Sequence, residues 1–157
     1  MTTADREIVI SRSISAPREL VFEAFTDIRH LSQWWGPEGF ITTTRAFDFR
    51  VGGTWDFVMR GPDGTDYQEW ISWTEITAPE RITLRHGEFQ DDPNAFESIL
   101  TFAPEGTSTR LEMRTIFPTK ELRDEAAEKY HAVEGGRQTL AKLDAYITEI
   151  VSKGAQN

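Results

Sequence analysis

The sequence contains no cysteine. This absence excludes disulfides, a thiolate nucleophile and any metal site built on cysteine. Histidine is also rare, and His30, His86 and His131 stand far apart, without a spacing that would bring two of them together on one helix. The sequence therefore indicates neither a metal site nor a cofactor.

Positive charge is scarce as well, because 17 Lys and Arg stand against 26 Asp and Glu, which gives a net charge of −9. A phosphate backbone or an anionic membrane needs a basic face, so neither nucleic acid nor membrane is an expected partner. No apolar run of about 18 residues exists to span a bilayer, and residues 1–7 lack the apolar core of a signal peptide. We expect a cytoplasmic protein, and the 157 residues predict a single domain, 1–157, with its core at about 7–151.

The last segment, residues 133–151, has the pattern of a long amphipathic helix. Its apolar residues recur at intervals of three, four and seven, which places them on one helical face. They are Val133, Leu140, Leu143, Ile147 and Ile150.

Two adjacent glycines, Gly135 and Gly136, fall near the start of this helix. Each costs about 1 kcal/mol relative to alanine inside a helix, so a compensating reason is expected. We favour a kink or joint between two helical pieces. The alternatives are a wider cavity or a closer approach of the helix to the sheet.

Most of the preceding chain alternates with a period of two residues, which is typical of strands. One predicted strand, residues 65–77, needs a bend or bulge, because Trp70 and Ile76 share one parity whereas Ile71 and Trp73 share the other. The predicted strands are residues 8–14, 41–50, 55–60, 65–77, 81–89, 96–102 and 109–117, with two short helices after the first strand and another helix at 119–129.

The simplest way to bury the apolar stripe of the final helix is to lay that helix across one face of the sheet. The predicted fold class is therefore α+β, with an antiparallel sheet of about seven strands curved around a long C-terminal helix. Such a sheet can leave a cavity between itself and the helix.

Several motifs occur together in the order of a known family. They are Ser15-Ala16-Pro17 within residues 14–22, Trp34-Trp35-Gly36-Pro37, Arg50-Val51-Gly52-Gly53, Pro62-Asp63-Gly64, Glu75-Ile76 before Pro79-Glu80-Arg81-Ile82, and the stretch 135–147. With these motifs the chain resembles the activator of heat-shock protein 90 ATPase homologue-like family of the START and polyketide-cyclase superfamily, over roughly residues 7–151. The resemblance implies a helix-grip fold with a cavity, and it does not imply chaperone activation. Many relatives carry Gly-Trp where this chain has Gly135-Gly136-Arg137, a departure that would enlarge the pocket or move its mouth.

The candidate ligand-binding residues share the inward parity of their strands or lie where the cavity is expected to open. His86, Ser98 and Thr115 would be the few polar anchors of a mainly apolar pocket, and Trp35 would gate it. A single inward histidine is more often a hydrogen-bonded core residue than a catalyst, so no catalytic residue is assigned. Glu88 and Glu97 are the carboxylates considered for the cavity mouth. The full set of candidates is Trp35, Trp55, Phe57, Met59, Trp70, Leu84, His86, Ser98, Leu100, Met113, Thr115, Gly136 and Leu140.

Three functions are compatible with this set. We favour noncovalent binding of a small hydrophobic or aromatic ligand between the sheet and the final helix. A protein-interaction module with a chaperone as partner is the second hypothesis, because an acidic surface suits a basic partner. A cyclase- or hydrolase-type enzyme that uses His86 with a carboxylate or water as general acid and base is the third, and no motif requires it. A homodimer is the default expectation for a soluble oligomer.

Overall fold

Seven antiparallel strands form one sheet within residues 2–155, the part of the chain that the computed structural model describes. The strands are β1 (Glu7–Ile14), β2 (Ile41–Phe47), β3 (Thr54–Arg60), β4 (Asp66–Thr77), β5 (Arg81–Gly87), β6 (Phe96–Glu105) and β7 (Ser108–Ile116). Their order across the sheet is β1-β7-β6-β5-β4-β3-β2, so β1 and β2 are the two edges.

Four α-helices accompany the sheet in this part of the chain: α1 (Arg18–Thr26), α2 (Ile28–Trp34), α3 (Lys120–Glu128) and α4 (Ala132–Ala155). The predicted α+β helix-grip fold is confirmed, with two short helices after the first strand and a long helix at the C-terminal end. No helix among the described residues is both long and apolar enough to cross a membrane.

The helices cover one face of the sheet, here called the inner face, and this face carries the core. Alternation along β3, β4 and β5 sends large apolar side chains inward, which removes a large aromatic surface from water. In α2, Trp34 is buried and its Nε1–H donates to the carbonyl oxygen of Ala24 in α1 at 3.2 Å. The buried strand residues include Trp55, Phe57, Ile71, Trp73, Ile82 and Leu84.

Strand β4 contains the irregularity that its sequence predicts, because its register with β5 shifts between Trp73 and Glu75. Before this bulge, Ile71 and Trp73 are buried on the inner face. Trp70 has the opposite parity and is paired with Asp56 of β3, so it lies on the outer face. The prediction that Trp70 faces the cavity is therefore wrong, because the parity of Ile71 and Trp73 decides which face of β4 is buried.

Helix α4 runs without interruption through Gly135 and Gly136. A joint between two separate helical pieces, one form of the favoured interpretation, is therefore wrong. A methyl group on Gly136 would overlap Cδ1 of Ile10 in β1 and would lie 3.3 Å from Cε of Met113 in β7. The missing side chain lets the helix approach the sheet closely, and the space that it vacates is filled by Ile10.

The loop between α2 and β2 is fastened to α4. Lys142 Nζ donates to the carbonyl oxygen of Gly36 at 3.1 Å, and the backbone N–H of Glu38 donates to Gln138 Oε1 at 3.2 Å. Burial lowers the pKa of Lys142, and the Glu38 carboxylate acts in the opposite direction. These contacts hold the segment that follows Trp35 against the helix.

Replacement of Gly136 with alanine should lower the free energy of unfolding by about 1–3 kcal/mol, because the added methyl group overpacks a filled interface. The change Ile10→Val removes Cδ1, the atom that the methyl group overlaps. The double variant should therefore recover most of the lost stability, as measured by urea denaturation of the wild type, both single variants and the pair.

Gly135→Ala is the matched control in this series, because a methyl group there would meet Pro37 Cγ at 3.3 Å and not Ile10. Its effect should add to that of Ile10→Val without coupling. Simple additivity for the Gly136→Ala and Ile10→Val pair would contradict the proposed packing.

Replacement of Lys142 with methionine should loosen the loop at residues 36–39, because the hydrogen bond to Gly36 is lost while the length of the side chain is largely kept. Hydrogen-exchange mass spectrometry should show faster exchange of the amides in this loop. Lys153→Met is the control on the same helix, because Lys153 pairs with Glu149 on the exposed side. Unchanged exchange in the Lys142→Met protein would show that Lys142 does not hold the loop.

Candidate functional site

A carboxylate and an imidazole face each other on the inner face of the sheet. Glu69 of β4 has the same parity as Ile71 and Trp73, and His86 of β5 has the same parity as Leu84. His86 Nε2 and Glu69 Oε2 are 2.6 Å apart. The two side chains are 12% and 16% exposed, so they are largely buried and still reach the surface.

The chemistry of this pair fixes the roles of its atoms. When Glu69 is ionised its carboxylate can only accept hydrogen bonds, and Nε2 of His86 then carries the hydrogen and donates it to Glu69. In the neutral imidazole, Nδ1 then keeps a free lone pair. Neither His86 Nδ1 nor Glu69 Oε1 has a hydrogen-bond partner in the described part of the chain, and both atoms retain accessible surface. The pair therefore offers two unused acceptors.

Aromatic rings surround the imidazole. The ring of Phe96 lies 4.7 Å from it between centroids, that of Phe57 lies at 6.1 Å and that of Trp35 at 6.4 Å. We call these three rings together with Glu69 and His86 the inner-face site. It combines an apolar wall with a few converging polar atoms, which is the usual make-up of a site for a small molecule.

Trp35 reaches the inner-face site from the loop after α2. Its ring packs edge-on against Trp55 at 5.2 Å, and the ring stays only half-buried. Gly36 and Gly39 take positive φ values of 101° and 84°, a conformation that glycine adopts without strain. The turn that they make returns the chain towards β2 and sets Trp35 above the sheet.

The other predicted residues divide between the core and the margins of the site. Trp55, Leu84, Leu100 and Leu140 are at most 2% exposed and belong to the packed core. The half-buried Met59 lies beside Gly36, and the half-buried Met113 lies beneath Gly136. Apart from Trp70, the predicted residues lie between the sheet and the helices, and their role in ligand binding stays a prediction.

Ser98 and Thr115 are brought together on neighbouring strands, as their parity predicts. Their hydroxyl oxygens are 3.4 Å apart, and both residues are buried. Each hydroxyl thus has the other as a partner, so these two groups are less available to a ligand than His86 and Glu69.

Glu69 and Phe96 are the residues of the inner-face site that the predicted set lacks. Glu88 and Glu97, the carboxylates considered instead, are both exposed. Glu69 precedes Ile71 by two residues and Trp73 by four, so an inward parity was readable once those two residues were taken as core. The competing parity of Trp70 and Ile76 hid this pattern.

The remaining histidines stand apart from the inner-face site. His30 Nδ1 is 2.6 Å from the hydroxyl oxygen of Tyr146, whose pKa is raised by burial and then by the nearby carboxylates of Asp27 and Glu149. His131 is exposed. Among the described residues, no group of three or more potential ligands is placed to hold a metal ion.

Two open grooves lie elsewhere on the surface. One runs between Arg12 of β1 and the outer side of α4 near Asp144, and the other lies between Phe22 of α1 and Pro79. Neither groove is lined by a predicted site residue. The chemistry of the inner-face site, and not the volume of a groove, is what indicates a ligand.

Solved structures with the same architecture come from several bacteria. A protein from Arthrobacter aurescens, known from a solution structure, is 26% identical with a TM-score of 0.85, over 95% of this chain and 90% of the other. A protein from Nitrosomonas europaea shares 20% identity with a TM-score of 0.84, over 95% and 98% of the two chains, and shows the fold alone. CalU16 from Micromonospora echinospora is more distant, at 20% identity with a TM-score of 0.62 over 96% and 81%.

Comparison with the sequences of curated proteins finds no match. A family model does match, over residues 15–148, which include both short helices, strands β2 to β7 and most of α4. The resemblance carried by the tryptophan pair and the double-glycine turn is thereby confirmed. This chain belongs to the family described as activator of Hsp90 ATPase homolog 1-like protein.

Proposed function

We propose that this protein binds a small aromatic or apolar ligand at the inner-face site, with one polar group of the ligand at His86. The observation that carries the proposal is the 2.6 Å pair of His86 and Glu69 set among aromatic rings. The family's fold is of a type that generally binds ligands, and this supports a ligand-binding role for the chain.

The energetics of the pair favour a functional role. Desolvation of a charged group is costly, and apolar residues of similar size often stabilise a core as well or better. The inner face around the site is mostly apolar, with Phe57 and Leu84 fully buried nearby. A carboxylate that served only to fill this core would be a poor choice, whereas a carboxylate that orients His86 towards a ligand has a reason to be there.

The orientation of His86 defines the ligand group that fits. Because Nε2 donates its hydrogen to Glu69, the free Nδ1 is an acceptor and suits a hydroxyl or N–H donor on the ligand. The partly exposed rings of Trp35 and Phe96 suit an aromatic body. A phenol or a similar aromatic hydroxyl compound combines both features.

A second candidate function is acid–base catalysis on the bound ligand, and the Glu69–His86 pair is the observation that favours it. Glu69 holds the imidazole in one tautomer, so Nδ1 is placed to act as a base. Under this function His86→Gln should abolish turnover of a substrate while folding is kept, as followed by a turnover assay and circular dichroism.

The matched probes 2-naphthol and naphthalene test the binding function, because they differ by a single hydroxyl group. 2-Naphthol should bind about fivefold more tightly to the wild type, since a hydrogen bond contributes roughly 1 kcal/mol. His86→Phe should remove this preference and leave the affinity for naphthalene nearly unchanged. Calorimetry measures both affinities, and native mass spectrometry of the protein as purified would identify any ligand that it already carries.

Trp70→Phe is the control variant for this test, because it changes an aromatic residue on the outer face of the same sheet. Its affinity for both probes should equal that of the wild type. Equal binding of 2-naphthol and naphthalene to the wild type, or no binding of either, would contradict the proposed site.

A further inference from the structure

We infer that the inner-face site selects ligands that carry a positive charge, namely a protonated or quaternary amine on an apolar body. This inference rests on the proposed ligand-binding function and names its ligand class. It follows from the charges around Glu69, from the aromatic rings and from the net charge of the chain.

Glu69 differs from the other carboxylates of strands β3 and β4, because each of those forms a salt bridge with an arginine. Asp56 pairs with Arg45 at 2.9 Å, Asp66 pairs with Arg60 at 2.7 Å and Glu75 pairs with Arg81 at 3.1 Å. Glu69 has only His86 as a salt-bridge partner among the described residues, and an imidazole is neutral unless it takes up a proton. The carboxylate that is turned towards the core is therefore the one without a permanent cation.

The ammonium group of Lys142 is hydrogen-bonded to a backbone carbonyl and does not pair with Glu69. Lys142 lies in α4 close to the loop that carries Trp35, and its ammonium donates to the carbonyl oxygen of Gly36. The carboxylate that raises the pKa of Lys142, against the effect of burial, is that of Glu38 and not that of Glu69. The negative charge of Glu69 is thus available to a ligand through Oε1, which retains accessible surface.

The rings around the pair favour the same type of ligand. A cation within about 6 Å of an aromatic centroid is attracted by the negative face of the ring, most strongly by tryptophan. Trp35, Phe57 and Phe96 lie within 6.4 Å of the imidazole that Glu69 touches. An ammonium group beside Glu69 would contact Trp35 and Phe96, the partly exposed rings of the three, with its methyl or methylene groups and keep a charge partner at the same time.

The charge of the whole chain acts in the same direction. A net charge of −9 attracts cations over long distances and repels anions. A ligand with a carboxylate or phosphate would bring a like charge next to Glu69 inside a poorly solvated site. Anionic ligands are therefore the class that this site disfavours.

Phenyltrimethylammonium and tert-butylbenzene test this inference, because they have nearly the same shape and differ by one positive charge. The cation should bind the wild type at least about tenfold more tightly, as expected for a cation–π contact reinforced by a carboxylate. Calorimetry or ligand-observed NMR at a fixed ionic strength gives both affinities.

Two charge-removing variants separate the local effect of Glu69 from that of the net charge. Glu69→Gln keeps an acceptor for His86 and should clearly reduce the preference for the cation, without weakening tert-butylbenzene. Asp56→Asn removes one negative charge from the outer face of the neighbouring strand and should keep the preference. An equal loss in both variants would show that the net charge, and not the site, selects the cation, and would overturn the inference.

The outcomes also distinguish this inference from the proposed function. If 2-naphthol still binds in preference to naphthalene while tert-butylbenzene binds as tightly as the cation, only the inference on charge is overturned. If none of the four probes binds, the proposed function fails together with it.

Discussion

The close contact of α4 with β1 at Gly136 and Ile10 determines how the rest of the inner face is covered. Because no side chain separates the helix from the sheet at this point, α4 lies tightly along the β1 and β7 side. Over β5, the ring of Trp35 lies beside that of His86 and packs edge-on against Trp55 of β3. This division leaves Glu69 and His86 under a loop and beside aromatic rings, instead of beneath the long helix.

A polar pair in such a place has to be supported by its surroundings. His86 is held by Glu69, and the hydroxyls of Ser98 and Thr115 hold each other on the adjacent strands. The Ser98–Thr115 pair is buried, whereas the Glu69–His86 pair reaches the surface and keeps two unused acceptors. The proposed function is placed at the second pair because another molecule can reach it.

Much of the fold was readable from the sequence, because hydrophobic periodicity records which side of each element is buried. The alternation at Trp55 and Phe57 predicted a strand with its aromatic side inward, and the stripe containing Leu140 and Leu143 predicted the long helix. These patterns arise from burial alone, so they can be read from a single sequence.

The site was less predictable, for physical reasons that differ from residue to residue. Helix propensity compares glycine with alanine in an isolated helix, so it contains no information on the Ile10 side chain that makes Gly136 necessary. The bulge in β4 changes which alternate residues face inward along the strand, and the prediction placed Trp70 on the wrong face. Glu69 was overlooked because a charged residue at an inward position breaks the apolar pattern that identifies such positions. The chaperone partner and the dimer stay predictions.

The two glycines that flank the turn after Trp35 have a kinetic consequence. Helix α4 is packed directly on the sheet, whereas the loop at residues 36–39 is attached to it through a few hydrogen bonds from side chains. Gly36 and Gly39 allow backbone rotations at both ends of that loop without steric strain. A ligand bound beneath Trp35 would therefore leave at a rate set by the opening of this loop, so its residence time depends on contacts that the ligand never touches.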